Sequence, residues 1–239
     1  MNTAVIFAGG TGTRMRTTGR PKQFLELHNK PIIIHTIECF ENHPEIDSIV
    51  VVCIESWIDY LKTQIARFGI RKVVRIVPGG NSSQESTRNG LYAVADIQDP
   101  QDTIVLIHDG VRPLINDQLI SDNIRMVKEK GNAITTVSAI ETIITVNEQS
   151  QIESVIDRSK CCMARAPQSF WLSDIIDIHE RAIRDDYQVI DSASLMIHYG
   201  KELNIVEGPR ENIKITTPAD FYVFRAIVDA RENAQILGL

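Results

Sequence analysis

The segment Ala8-Gly9-Gly10-Thr11-Gly12-Thr13-Arg14-Met15 places three glycines within four positions and follows them with an arginine. Glycine lacks a Cβ, so backbone amides in such a loop can approach a phosphate closely and donate to it. Arg14 adds a permanent charge with several donors in a fixed fork. Lys22, in Pro21-Lys22-Gln23, brings a second, point-like charge eight residues on. The chemistry that suits this combination is the binding and neutralisation of a phosphate chain. The loop has neither the Gly-Lys-Ser/Thr ending of a Walker A loop nor the G-x-G-x-x-G spacing of a dinucleotide loop. A plain tight turn is the alternative, and the two cations beside the glycines favour the anion.

Three further segments carry candidate side chains. In Pro78-Gly79-Gly80-Asn81-Ser82-Ser83-Gln84-Glu85-Ser86, Ser82 and Glu85 have capping-box spacing, so a helix starts there. Gly80 and the nearby serines are candidates to face a nucleotide, although the local pattern does not separate that role from simple capping. In His108-Asp109-Gly110-Val111-Arg112-Pro113, Asp109 is placed to orient a metal-bound triphosphate, and so to touch a metal indirectly, or to hold a substrate hydroxyl. Arg112 either holds a phosphate or pairs with Asp109. His108 reads as a packed histidine at a strand end, without a role. In Asn212-Ile213-Lys214-Ile215-Thr216-Thr217-Pro218, Lys214 falls on a predicted strand between apolar neighbours. A lysine there either meets an anion or carries its amine out to water from an edge.

These loops need a scaffold, and the pattern between them names one. Ala4–Ala8, Ser48–Ile54, Val73–Val77, Thr103–Ile107 and Ala133–Ala139 are apolar, β-rich runs, and Pro31–Phe40 and Trp57–Phe68 have helical apolar spacing. Continuous apolar strands alternating with helices predict an α/β fold, a mostly parallel sheet covered on both faces. Ligands in such sheets bind beyond the carboxyl ends of the strands, where the glycine-rich and HDGVRP loops fall. Residues 140–160 differ: two strand-like runs flank a polar turn at 147–151, a hairpin that serves either as an ordinary edge or as an arm for a second copy. Helices follow near 173–185 and 191–199, then a strand near 203–206. Thr217-Pro218-Ala219-Asp220 opens a last helix with a capping hydroxyl, Pro at the first position and an acid in the first turn. No repeat, low-complexity tract or linker divides the 239 residues, so a single domain spanning 1–239 is expected.

Composition narrows the function class. The net charge of −6 argues against a general nucleic-acid binder, so anions must be held by local cations and amides. Cys39 and Cys53 lie in apolar runs, and the adjacent Cys161 and Cys162 lack zinc-site spacing. Reduced thiols and the lack of a basic region before the first apolar run fit a cytoplasmic protein. No apolar stretch approaches the roughly 20 residues of a membrane span.

Taken together, GGTGTRM, PKQF, HDGVRP and NIKITTPAD, in this order and at these separations, resemble the family of CTP-dependent cytidylyltransferases acting on methylerythritol phosphate and ribitol phosphate. The resemblance runs from Met1 to about residue 225. The second glycine of the first loop, Val111 and the run ETIITV lean toward the ribitol 5-phosphate branch. The resemblance implies a Rossmann-like domain whose β-arm builds a homodimer. It implies Arg14 and Lys22 as the catalytic pair, with Ala8, Gly9, Gly10, Thr11, Gly12, Thr13, Gly80, Asn81, Ser86, Asp109 and Gly110 around CTP. Arg112, Thr142, Arg158 and Lys214 would bind the acceptor, Thr142 and Arg158 by reaching into the partner's site. Mg²⁺ is expected with CTP. Ser83 replaces a basic residue frequent in the second loop. Ala166 and Ile190 stand where methylerythritol enzymes usually carry hydroxyls.

The implied reaction is attack of an acceptor phosphate oxygen on the α-phosphorus of CTP, with pyrophosphate leaving. A phosphate monoester is largely dianionic at neutral pH, its second pKa being about 6, so no general base is required. The absence of a Ser/His/Asp or paired-carboxylate pattern fits that chemistry. Alternatives are a methylerythritol-phosphate cytidylyltransferase, a hexose-1-phosphate nucleotidylyltransferase and a nucleotide-binding regulatory protein.

Overall fold

The computed structural model describes residues 1–10 and 19–237. Thr11, Gly12, Thr13 and Arg14 therefore lie outside the described residues. The chain runs β1 (Asn2–Ala8), β2 (Glu26–Leu27), β3 (Lys30–Pro31), α1 (Ile32–Glu41), β4 (Ser48–Cys53), α2 (Ile58–Arg67), β5 (Val73–Pro78), α3 (Ser83–Ala95) and β6 (Ile104–Asp109). It continues through α4 (Asp117–Lys130), β7 (Asn132–Ser138), β8 (Ile143–Val146), β9 (Ile152–Ile156), β10 (Cys162–Trp171), α5 (Leu172–Arg184), α6 (Ser192–His198), β11 (Ile205–Glu207) and α7 (Pro218–Leu237).

Seven strands form one sheet in the order β11-β7-β10-β6-β1-β4-β5. β1 pairs in parallel with β4 and β6, and β4 with β5, as the continuous apolar runs require. Every residue of β4 is buried, because helices cover both faces. Alternation along β1 divides the core. Ala4, Ile6 and Ala8 pack with α1, α2 and α4, while Val5 packs on the other face with α3, α5 and α6. A third cluster of Leu27, Ile32, Val111, Leu114, Ile215 and Phe224 ties β2–β3, α7 and the loops after β6 together.

Two features depart from the sequence expectation. β10 was not anticipated: it runs antiparallel between β6 and β7, and only its second half is buried. Lys214 is not on a strand. Its segment makes one backbone bond across, Ile215 N to the Val111 carbonyl at 2.9 Å, and is held by the third apolar cluster instead of a ladder. The hairpin is present as β8 and β9. Its turn is made by the Asn147 side chain, whose Oδ1 accepts from Gln149 N (3.1 Å) and Gln151 N (2.9 Å). All of β9 is exposed, including Ile152 and Val155.

Candidate active site

The carboxyl ends of β1, β4, β5 and β6 lie side by side, so the loops leaving them converge. Gly9 follows β1, and a Cβ built on it would lie 4.0 Å from Ser86 Oγ. Gly79 follows β5, and its Cβ would lie 3.2 Å from the same oxygen. Ser86 Oγ accepts from Gly80 N at 3.0 Å and donates to Ser82 O at 2.9 Å. The first and second glycine segments therefore meet at Ser86, a contact their separation in sequence conceals. Around this point the capping box forms as the spacing predicts: Ser82 Oγ accepts from Glu85 N at 3.0 Å. Glu85 Oε2 reaches back to Asn81 N at 2.6 Å, one residue before the helix cap. The Asn81 amide is thus already engaged by a carboxylate, and Glu85 fills the space a side chain at position 80 would need.

Lys22 begins a short 3₁₀ turn, Lys22–Phe24, and is buried. The turn is anchored to the base of the glycine loop by Gln23, whose Nε2 donates to the Ala8 carbonyl at 2.5 Å. The end of β1, from which the glycine loop leaves, and the Lys22 turn are therefore tied together. Among the described residues, nothing lies within 4 Å of a Cβ built on Gly10.

The third and fourth segments form a charged group. Asp109 ends β6. Its Oδ2 accepts from Arg112 Nε at 2.8 Å, and its Oδ1 from Lys214 Nζ at 2.7 Å. Burial on its own would raise the Asp109 pKa. Lys214 and Arg112 more than reverse this and hold it down at about 2. Arg112 is buried and also donates through Nη1 to the Asn212 carbonyl at 2.9 Å. The ion-pair reading of the HDGVRP spacing is seen directly: Arg112 pairs with Asp109 at the carboxyl end of β6. Gly110 is required by close approach: its N–H bonds Phe7 O at 2.8 Å, and a Cβ would sit 2.7 Å from that oxygen. His108 is fully buried, with Nε2 3.1 Å from the Arg112 carbonyl, and burial lowers its pKa to about 4. It is a neutral packed histidine.

Thr142 and Arg158 are not brought to this group within the chain. Both are exposed near the base of the arm, where Arg158 Nη1 donates to the Ile140 carbonyl at 2.6 Å. Ile190 is 89% exposed, and Ala166 is buried with its carbonyl accepting from Asn212 Nδ2 at 2.6 Å. Glu85 was legible only as a capping residue, and Gln23, Asn212 and Arg165 carried no expected role. Gln23 and Asn212 stand in the quoted motifs; the contacts of Asn212 with Ala166 and Arg165 become visible only in the fold.

For a metal, the donor set at this edge is a poor fit as direct protein ligation, because both Asp109 oxygens already face cations. Among the described residues, the His/Asp/Glu group close enough to hold an ion is His28, Asp229 and Glu232, on the β2–β3 turn and α7. Its carboxylates engage opposite nitrogens of one imidazole, Asp229 at Nε2 and Glu232 at Nδ1.

A mostly parallel α/β sheet with glycine amides, a buried lysine and a cation-clamped aspartate at its carboxyl edge defines a nucleotidyltransferase-type site. The sequence matches the 2-C-methyl-D-erythritol 4-phosphate cytidylyltransferase family over residues 2–230, and the chain belongs to that family. It is 54% identical, over the full length of both chains, to a ribitol-5-phosphate cytidylyltransferase of Streptococcus agalactiae serotype Ia. It is 52% identical, again over both full lengths, to one from Vibrio parahaemolyticus serotype O3:K6. The solved 4-diphosphocytidyl-2C-methyl-D-erythritol synthase of Anaerococcus prevotii superposes with a TM-score of 0.81 at 25% identity, covering 95% of this chain and 96% of that one.

Proposed function

We propose that this protein transfers CMP from CTP to D-ribitol 5-phosphate, releasing pyrophosphate and forming CDP-ribitol. The observation that carries the acceptor is identity above one half, along the whole chain, to proteins named for that reaction. The site is consistent with it. Ala166 offers no hydroxyl to a substrate, and its carbonyl is already taken.

The acceptor phosphate dianion is itself the nucleophile. One of its oxygens forms a bond to the α-phosphorus of CTP while the bond to the bridging oxygen of pyrophosphate breaks. Several negative groups converge, so alignment and charge neutralisation are the main tasks. Lys22 and Arg14 act on the triphosphate, beside the amides of Gly9 and Gly10. The carbonyl of Ala8 fixes the Lys22 turn through Gln23. Asp109 does not act as a base, since its carboxylate is held ionised and weakly basic. It fixes Arg112 and Lys214 toward the acceptor. Mg²⁺ would enter with CTP and neutralise phosphate charge; among the described residues no His/Cys/Asp/Glu cluster at this edge would hold it.

The arm is read as a dimer element. A lone two-stranded hairpin is marginal in water, and this one exposes Ile144, Val146, Ile152 and Val155. A second copy packed there would bury them and carry Thr142 and Arg158 to the neighbouring acceptor site. No helix among the described residues is long and apolar enough to cross a membrane.

The test is pyrophosphate release from CTP across a panel of polyol and sugar phosphates, repeated with UTP and GTP. Release with CTP and ribitol 5-phosphate supports the reading. Release only with hexose 1-phosphates and UTP would replace it.

A further inference from the structure

Arg165 stands where β10 breaks register. Ala164 pairs with Thr136 of β7, pairing resumes at Gln168 with Ile134, and residues 165–167 form the irregularity. Because β10 runs antiparallel to β6, with Gln168 opposite Ile107, residue 165 lies beyond the carboxyl end of β6, next to Asp109. A bulge at a sheet's ligand edge re-aims a side chain. Here it aims a guanidinium at the Asp109 group.

That guanidinium is under-used. Among the described residues its one hydrogen bond is a long one, Nη1 to the Asn212 carbonyl at 3.4 Å, and Arg112 already donates to that oxygen at 2.9 Å. Among the described residues its buried Nε has no partner, and neither has the buried Oδ1 of Asn212. Among the described residues no carboxylate is within ion-pair distance of Arg165. Arg112 and Lys214 thus share Asp109, and Arg165 is a third cation beside Arg112 with no carboxylate of its own among the described residues. Burial, and then the neighbouring Arg112 charge, disfavour the protonated Arg165. A half-buried cation held beside another, with unfilled donors, is costly unless an anion completes the group.

Resting on the function proposed above, we infer that Arg165 is a substrate-binding residue of the acceptor pocket, donating to the phosphate of the polyol phosphate alongside Lys214 and Arg112. The surplus of two positive charges over Asp109 matches a phosphate dianion.

The test compares wild type with Arg165→Gln and Arg165→Lys. For Arg165→Gln the inference expects KM for ribitol 5-phosphate to rise about tenfold or more, with KM for CTP within about twofold, since a charge-assisted contact to one substrate is lost. Arg165→Lys should recover part of the loss. A structural arginine would lower Tm when removed; here the unliganded Arg165→Gln protein should melt at or above the wild-type temperature, because like-charge pressure on Arg112 is relieved. Inorganic phosphate should raise the Tm of wild type more than that of the variant. If ribitol 5-phosphate is turned over and its KM is unchanged in Arg165→Gln, the inference is wrong while the function stands. If no polyol phosphate is used, the function reading falls, and the phosphate-dependent Tm still decides Arg165: equal shifts in both proteins overturn it.

Discussion

Replacing Asp109 with asparagine keeps the shape of the residue and removes the charge between Arg112 and Lys214. The pKa of Asp109 is about 2 in the folded protein against an ordinary 3.8. The fold thus favours the ionised form. Its stabilisation is fully present above the unfolded value and is lost as pH falls through the folded one. A separation of that size corresponds to about 2 kcal/mol at neutral pH, of which about half remains near pH 3. Asparagine also leaves Arg112, whose side chain is 9% exposed, without its carboxylate. That penalty does not vary with pH in this range and cancels when one pH is compared with another. Urea unfolding followed by tryptophan fluorescence, run on both proteins at pH 7 and pH 3, gives the stability gap at each. The gap should narrow by about 1 kcal/mol at the lower pH. A gap that stays constant, or widens on acidification, would refute the picture of Asp109 as an ion clamped by two cations.

Lys22→Met keeps the buried stem but removes the ammonium, and turnover should fall about 10²–10³-fold with the circular dichroism spectrum unchanged; a folded variant with near-normal turnover removes Lys22 from the chemistry. Gly110→Ala pushes a methyl against the Phe7 carbonyl and should cost about 1–3 kcal/mol in denaturant unfolding; an unchanged midpoint would mean that β1 and the loop after β6 can separate freely. If the arm completes the partner's site, mixing Lys22→Met with Arg158→Ala protein should restore activity, since one hybrid site holds both intact residues. Mass-verified mixed dimers that remain inactive would place Arg158 outside the partner's site.

Much of the scaffold was legible because burial on both faces leaves a plain mark. SIVVVC can only be a covered strand, and β1, β5 and β6 follow the same logic. The hairpin was legible from Asn147 and its polar neighbours. β10 was not, because Cys162–Trp171 is exposed in its first half, contains Pro167 and shows no continuous apolar run. The Ile213-Lys214-Ile215 alternation mimicked a strand, although those isoleucines face the third apolar cluster from an irregular segment. Within the site, Asp109 and Arg112 were suggested by spacing alone. The ion pair of Asp109 with Lys214 joins residues 105 positions apart, and no local pattern encodes it. Arg165 was invisible for the same reason, since its meaning depends on the bulge and on Asn212.

Competition between two acceptors decides which one this site takes. Equimolar D-ribitol 5-phosphate and 2-C-methyl-D-erythritol 4-phosphate are offered together with CTP, and the two CDP products are quantified by mass spectrometry at low conversion. The ratio of products is then the ratio of kcat/KM values. CDP-ribitol is expected in at least about tenfold excess, as for a site whose polar groups are matched to one substrate. A product mixture dominated by the methylerythritol nucleotide would contradict it.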